Sequence, residues 1–272
     1  MRRTLIASII VAAGFASASA ADLAVVPATN AHAVANPTYN WTGFYVGAHL
    51  GAGWSRGSMT GDPVPDPITF GIDRVIIPSG SGNSGVAGGQ IGFNWQLAPN
   101  ILLGLEADLT GTALDRSGRA APVPSPNPFA RGSFAQASQH IDWLGTIRGR
   151  GGFVWDRLLV YATGGVAWQH ANYTANEVLP NLGDTGGFSN PGSSDATKAG
   201  WVVGGGLEYA WSGNWIARAE YLHYHFEDSF FGGLVPGVPD IAFGIRYGVQ
   251  TNLDVVRAGL SYRFDGPILA RY

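Results

Sequence analysis

Eight segments of the chain alternate strictly between apolar and polar or small side chains, and this period of two constrains the fold more than any other feature. In the first segment Phe44, Val46, Leu50 and Trp54 occupy even positions. Successive side chains of a β-strand point to opposite faces, so each segment is predicted to be a strand with one apolar face. The predicted strands are residues 43–55, 85–97, 101–110, 141–155, 158–169, 199–211, 215–226 and 252–264. Each has about the ten residues that a tilted strand needs to cross a bilayer.

The connections between these strands alternate between short and long. Tight turns are predicted at residues 98–100, 156–157 and 212–214, where Pro, Asn, Asp and Gly concentrate. The long connections hold 12 of the 16 prolines and comprise residues 56–84, 111–139, 170–198 and 227–251. This alternation favours an all-β fold, an eight-stranded antiparallel up-and-down transmembrane β-barrel with four long extracellular loops and short periplasmic turns.

The first twenty residues have the pattern of a secretory signal peptide. Arg2 and Arg3 precede a mostly apolar run, which ends in the small residues before a predicted cleavage between Ala20 and Ala21. The run is shorter than the roughly 20 residues of a membrane-spanning helix, which argues against a permanent anchor. The predicted organisation is a signal peptide over 1–20, a flexible periplasmic lead-in over 21–40, the barrel over 41–264 and a C-terminal extension over 265–272.

Tryptophan positions discriminate between a membrane barrel and a soluble, lipocalin-like barrel. Eight tryptophans lie on the apolar strand faces, four beside the short turns and four at the long-loop ends. Rings in two such bands are typical of side chains that meet both headgroup layers, whereas a soluble core concentrates tryptophan centrally. The predicted membrane-interface belts are Trp95, Trp155, Trp211 and Trp215 at one rim and Trp54, Trp143, Trp168 and Trp201 at the other.

The opposite strand faces carry charged residues in nearly balanced number. Unpaired charges inside a narrow barrel would cost several kcal/mol each, so acids and arginines are predicted to pair there. An eight-stranded barrel is just wide enough for side chains to fill, which favours a filled lumen over a selective pore. The predicted interior charge network is Glu106, Asp108, Asp142, Arg148, Arg150, Glu208, Arg218, Glu220 and Arg257.

Composition excludes several classes of site. The formal net charge of −3 gives no support for a nucleic-acid surface. The absence of cysteine excludes disulfide scaffolds, thiolate zinc sites and cysteine nucleophiles. His223 and His225 share a strand face and could ligate a metal or haem, but polar residues near the outer interface are the preferred interpretation. His49 faces inward without a recognisable nucleophile, so no catalytic residue, metal or cofactor is predicted.

Several runs of residues together resemble one known family. They are NWTGFYVGAHLGAGW at 40–54, GGQIGFNW at 88–95, GLEADL at 104–109, DWLGTIRGRGG at 142–152, LLVYATGGVAW at 158–168, EYL at 220–222 and VVRAGLSYRF at 255–264. The set resembles the outer-membrane β-barrel family of Brucella and rhizobial surface antigens. The resemblance implies an eight-stranded porin-family barrel of the Gram-negative outer membrane, contributing to envelope integrity and surface exposure, without catalytic residues. Chains of this kind commonly end at the last strand's aromatic residue; this one continues past Phe264, so Phe264 and Tyr272 both remain candidates for the assembly signal.

The resulting functional hypothesis is a structural outer-membrane barrel whose loops form part of the cell surface. The alternative is a small transport or ligand-capture barrel, for example for haem. Expected partners are outer-membrane lipids and lipopolysaccharide, the outer-membrane assembly machinery, and either peptidoglycan or a host surface, with no nucleic acid.

Overall fold

The protein folds into ten β-strands in a computed structural model, which describes residues 39–57, 59–63, 75–77, 82–120, 134–179, 188–231 and 245–264. The strands are β1 (Gly43–Arg56), β2 (Met59–Pro63), β3 (Val75–Ile77), β4 (Gly82–Ala98), β5 (Ile101–Arg119), β6 (Phe134–Trp155), β7 (Leu158–Leu179), β8 (Phe188–Ser212), β9 (Trp215–Phe231) and β10 (Ile245–Arg263). Among these residues no helix is long and apolar enough to cross a membrane.

Eight of the strands close into an antiparallel ring in the order β1, β4, β5, β6, β7, β8, β9 and β10. The ring closes where β1 pairs with β10, from Tyr45 opposite Arg263 to Arg56 opposite Asn252. Tight turns join β4 to β5, β6 to β7 and β8 to β9. The Asp156–Arg157 turn and the Gly213–Asn214 turn each place their first residue at positive φ, which two-residue hairpin turns require. The predicted eight-stranded barrel is confirmed.

The strands extend further than the sequence pattern predicted, and this corrects the assignment of the long loops. β7 and β8 pair from Leu158 opposite Tyr209 to Leu179 opposite Phe188, well inside the predicted loop 170–198. Similar extensions lengthen β5, β6, β9 and β10, and β2 and β3 lie within the predicted loop 56–84. The extensions were missed because their outward side chains are polar, so the alternation of hydrophobicity fades while the backbone pairing continues.

The outward face of the ring is apolar and the inward face is layered. Leu50, Leu109, Ile147 and Leu207 are among many large apolar side chains exposed on the outside. Inside, an apolar cluster lies at the end with the tight turns, the charged side chains occupy the middle, and a second apolar cluster follows toward the long loops. This inversion of a soluble barrel places the apolar wall where it meets lipid.

Parts of the predicted organisation fall outside the described residues. These are the cleavage position between Ala20 and Ala21, the lead-in up to residue 38, and residues 265–272 with Tyr272. Phe264 is described: its backbone N–H donates to the carbonyl of Phe44 over 2.8 Å, and its ring centroid lies 5.7 Å from that of Phe44.

Candidate functional site

The charged residues meet inside the barrel because strand alternation and register bring opposite charges together. Residues two apart on one strand share a face, so Glu106 and Asp108 of β5 both point inward. The register sets Glu106 opposite Arg148, Glu208 opposite Arg218 and Arg257 opposite Glu220. Directly opposed side chains of unlike charge stabilise a pair of strands. The interior network is therefore built first from neighbouring strands.

Further contacts join these pairs across the lumen. Arg148 Nη1 donates to Glu220 Oε1 over 3.0 Å, linking β6 to β9. Arg257 of β10 contacts Asp108 Oδ1 of β5 at 3.2 Å, and Arg218 of β9 contacts Glu106 Oε2 of β5 at 2.6 Å. Glu106 lies within 4.0 Å of all four arginines of the network, because Arg150, Arg218 and Arg257 approach it as well. The charges form one connected network rather than separate ion pairs.

Two tyrosines extend the network toward the apolar cluster at the tight-turn end. The Tyr45 hydroxyl donates to Glu106 Oε2 over 2.5 Å, and the Tyr161 hydroxyl donates to Glu220 Oε1 over 2.9 Å. The guanidinium of Arg150 lies 4.1 Å from the centroid of the Tyr161 ring. The hydroxyls satisfy carboxylate oxygens while the rings cover the arginines.

The network is buried on all sides. Glu106 exposes 3% of its surface, Arg148 1% and Glu220 3%. With exposed fractions this small, the side chains are closed off from solvent along the barrel axis. In such surroundings each charge depends on its partners for the solvation that water otherwise supplies.

His49 is held in this interior by partners on both ring nitrogens. Nδ1 lies 2.6 Å from Gln90 Oε1, and Nε2 lies 2.9 Å from Thr110 Oγ1 and 3.2 Å from Arg257 Nη1. Because Gln90 Oε1 and Arg257 can only accept and donate respectively, His49 donates from Nδ1 and accepts at Nε2. A neutral ring whose Nε2 lone pair faces a guanidinium is not positioned as a general base.

Eight of the nine predicted network residues lie in the lumen, and Asp142 is the exception. A register shift between Ile141 and Trp143 in the pairing of β6 with β7 inserts one extra residue there. An extra residue reverses the faces of the strand, so Asp142 points outward beside His140 and His170. The interior network then holds four carboxylates and four arginines, and its formal charge is zero. They are Glu106, Asp108, Glu208 and Glu220, with Arg148, Arg150, Arg218 and Arg257.

The eight predicted belt tryptophans all point away from the lumen. Trp211 is the most exposed, at 68%, and Trp95, Trp155, Trp201 and Trp215 are also well exposed. The remaining three, Trp54, Trp143 and Trp168, are half-buried against neighbouring side chains. On β7, the outward positions are apolar or glycine up to Trp168 and then polar from His170 to Asn176. The outside of the barrel is thus divided sharply at this belt.

The ninth tryptophan was missed by the sequence reasoning. Trp41 is fully buried at the tight-turn end, where its backbone N–H donates to Gln96 Oε1 and its Nε1 donates to the carbonyl of Asp156, both over 3.0 Å. It packs in the apolar cluster with Leu102, Val154 and Ile216. Leu102, Val154 and Ile216 occupy inward positions of their strands, and this parity already indicates an apolar layer at the tight-turn end. The prediction expected only polar or small side chains on the inward face.

His223 and His225 lie on the outward face, beside the Trp201 ring at 5.8 and 5.2 Å between centroids. Their Nδ1 atoms face Asp254 Oδ1 at 2.8 Å and Asn252 Oδ1 at 2.7 Å. Within the described ranges, no group of three or more His, Cys, Asp and Glu side chains is arranged to hold a metal ion.

Comparisons with known proteins agree with this architecture. A family model described as "Outer membrane protein beta-barrel domain" matches residues 8–264. The 31 kDa outer-membrane immunogenic protein of Brucella melitensis is 34% identical over 266 residues, which cover 97% of this chain and 100% of that protein. The 22 kDa outer membrane protein of Rhizobium leguminosarum bv. viciae is 28% identical over 193 residues, 70% of this chain and 67% of that one.

Among solved structures, the outer membrane protein OprG from Pseudomonas aeruginosa is 12% identical. The match covers 83% of this chain and 97% of that one, with a TM-score of 0.46. A likeness at this level carries no argument about function.

Proposed function

This chain belongs to the outer membrane protein β-barrel family, and on that premise we propose that it is a structural protein of the outer membrane whose lumen is closed and whose long loops are displayed at the cell surface. Its barrel strands cross the outer membrane. The tight turns then face the periplasm and the strand extensions face outward, as in barrels with short periplasmic turns.

The burial of a neutral, fully connected charge network across the middle of the lumen supports the closed barrel. Opening an aqueous path would separate ion pairs that span the lumen, such as Arg148 with Glu220 and Arg257 with Asp108. Removing one partner of a buried pair typically costs about 3–5 kcal/mol, because the other charge is left uncompensated. The apolar cluster around Trp41 adds a second barrier below the network.

The display role is supported by the relatives. Two Brucella relatives are named outer-membrane immunogenic proteins. An immunogenic outer-membrane protein presents surface to the outside, and in this chain the strands that project beyond the tryptophan belt would supply that surface. Lipopolysaccharide and the other outer-membrane lipids are proposed as the permanent neighbours of the apolar wall. Contact with peptidoglycan or a host surface stays a proposal.

A non-enzymatic role is part of the proposal. The inward-facing histidine, His49, is occupied by Gln90, Thr110 and Arg257, and the lumen carboxylates are each engaged by arginines. Ionisable groups paired in this way form a structural network that stabilises the fold, and they are not positioned to act as catalytic groups. The transport alternative requires a continuous aqueous path, which no observation on the described residues favours.

Planar-bilayer recording tests the closed lumen. Purified protein inserted into the bilayer is expected to give no steady conductance steps, whereas a known porin inserted in parallel verifies the assay. The protein is delivered to the bilayer by fusion of vesicles that contain it, and heat-modifiable mobility of protein from the same vesicles checks that it is folded. Reproducible single-channel steps from folded protein would overturn the closed lumen and favour the transport hypothesis.

The outer-membrane assembly machinery is a further proposed partner, and two changes separate its candidate signals. Deleting residues 265–272 removes Tyr272 and leaves Phe264 terminal, whereas Phe264→Ala removes the other aromatic ring. Whichever change reduces the folded, heat-modifiable form in isolated outer membranes identifies the residue that assembly requires.

A further inference from the structure

Four neighbouring strands rise together beyond the tryptophan belt. β5 and β6 pair out to Arg119 opposite Gln136, β6 and β7 out to Phe134 opposite Val178, and β7 and β8 out to Leu179 opposite Phe188. β7 carries no register shift, so Thr174 points to the same outward side as Trp168. The outside of this extension is therefore a direct continuation of the lipid-facing wall.

The register aligns polar side chains across all four strands of this outward face, here called the polar platform. One row consists of hydroxyls only: Ser117, Ser138, Thr174 and Ser193. Ser138 Oγ and Thr174 Oγ1 lie 2.7 Å apart. In the next row outward, Arg119 pairs with Gln136, and the Arg119 guanidinium lies 3.9 Å from the centroid of the Phe134 ring.

The platform is concave and its floor is made of small residues. A depression of about 800 Å³ lies over these rows, and its lining includes Ser117, Gln136, Ser138, Thr174 and Ser193. Hydroxyls and a primary amide both donate and accept hydrogen bonds. An open, hydroxyl-rich depression beside an aromatic ring and a guanidinium suits a polyhydroxylated ligand better than an apolar one.

Aspartates lie between the belt and the platform, and histidines accompany them. Asp115 Oδ1 lies 2.5 Å from His140 Nδ1, and Asp195 Oδ1 lies 3.3 Å from His170 Nε2. Asp142 lies 3.3 Å from His140 and accepts a hydrogen bond from Asn172. These carboxylates therefore contact histidine and asparagine side chains below the platform. The hydroxyl row itself contains no charged side chain.

The height of the platform identifies which layer of the membrane it meets. Thr174 is six residues beyond Trp168 along one uninterrupted strand. A rise of about 3.4 Å per residue and a tilt of about 40° place Thr174 about 15 Å beyond the belt. The headgroup region of a phospholipid leaflet is only about 5–8 Å thick. The platform therefore lies above phospholipid headgroups, at the level of the sugars that lipopolysaccharide carries.

We propose that the polar platform binds the core sugars of the lipopolysaccharide molecules that surround the barrel. The hydroxyl row forms the hydrogen bonds to sugar hydroxyls, and Arg119 with Phe134 borders the outer end of the site. This contact anchors the lipid through its glycan, while the tryptophan belt meets its headgroup region and the apolar wall meets its acyl chains. The proposal requires the outer-membrane location and is independent of whether the lumen conducts.

Lipid retention in nanodiscs tests this proposal. The full-length mature protein is reconstituted with one phospholipid background plus either rough lipopolysaccharide, which carries core sugars, or lipid A, which lacks them, and retained molecules are counted by native mass spectrometry. Wild-type protein is expected to retain the sugar-bearing form about tenfold more strongly than lipid A. The variant S117A/S138A/T174V/S193A is expected to lose that preference, because each side chain keeps its approximate size and loses its hydroxyl.

Ser194→Ala provides the matched control, since Ser194 neighbours Ser193 on the opposite face of β8, and it should keep the wild-type preference. If the quadruple variant does not show heat-modifiable mobility, S138A/T174V replaces it, with an expected loss of about threefold. Equal retention of both lipids by wild type, or an unchanged preference in the folded variants, would overturn the proposal. So would binding of soluble core oligosaccharide as tight as that of the lipid, because it would assign the platform to free glycans.

Discussion

At the scale of single residues, Glu106 is the carboxylate on which the lumen depends most. It lies within 4.0 Å of all four network arginines and also accepts a hydrogen bond from the Tyr45 hydroxyl. Glu106→Gln keeps the shape but leaves one positive charge uncompensated, so a loss of about 3–5 kcal/mol of unfolding free energy is expected. Equilibrium denaturation in lipid vesicles measures it. Asp195→Asn, at a side chain that is 66% exposed, should stay within about 0.5 kcal/mol of wild type.

On the outward surface, the ionisation of His140 is controlled by its neighbour Asp115. A hydrogen bond from its ring to Asp115 raises the pKa of His140 above its ordinary value of 6.5. A raised pKa means that the pair stabilises the fold below pH 6.5, and that this contribution is lost as the pH rises through the folded-state pKa. Asp115→Asn is expected to lower the pKa of His140, as followed by NMR of the ring. An unchanged titration midpoint would contradict this role of Asp115.

At the scale of strands, glycines allow tyrosine rings to lie flat against the inside of the wall. A methyl group at Gly92 of β4 would overlap the Tyr45 ring, and one at Gly206 of β8 would lie 2.7 Å from the Tyr161 hydroxyl oxygen. Both tyrosines donate to network carboxylates. Strand glycines here mark a close approach, which a larger residue would prevent.

Gly92→Ala should therefore displace Tyr45 from Glu106 and destabilise the barrel by about 1–3 kcal/mol, the range for overpacking in a tight interior. Gly89→Ala, on the same strand, is the control, because its new methyl group would meet its nearest neighbour at 3.5 Å. The measurement is the urea midpoint of unfolding of both variants in the same detergent, which should be lower for Gly92→Ala than for Gly89→Ala. Equal midpoints would contradict the steric role of Gly92.

At the scale of the whole molecule, the orientation of the barrel follows from which end carries the tight turns. The chain has no cysteine, so a single introduced thiol reports its own side of the membrane. Gln250→Cys, which is exposed beyond the outer tryptophan belt on β10 and outside the polar platform, is expected to react with an impermeant maleimide on intact cells. Arg157→Cys, in the Asp156–Arg157 turn, should react only after permeabilisation. The reverse pattern would mean that the barrel is inserted the other way.

Much of the architecture was predictable because membrane-spanning strands carry a local signal. Alternation along residues 43–55 and 158–169 reflects lipid on one side of the wall and lumen on the other, and each residue reports its side independently of distant contacts. The same signal located Glu106, Arg148 and Glu220 on one face. It failed at Asp142, where one additional residue exchanged the inward and outward positions of β6. It also failed in the strand extensions, where the outward side chains are polar and the alternation of hydrophobicity is lost.

The amino-acid sequence by itself determined the number of spanning strands, the direction of their apolar faces and the near balance of interior charge, because these properties depend on each residue's own position along a strand. The tertiary structure alone decided which charges meet. Glu106 contacts Arg148, 42 residues away along the chain, and Arg257, 151 residues away. Closure of the ring and the register of every hairpin bring such residues together, and no local pattern of side chains encodes that geometry.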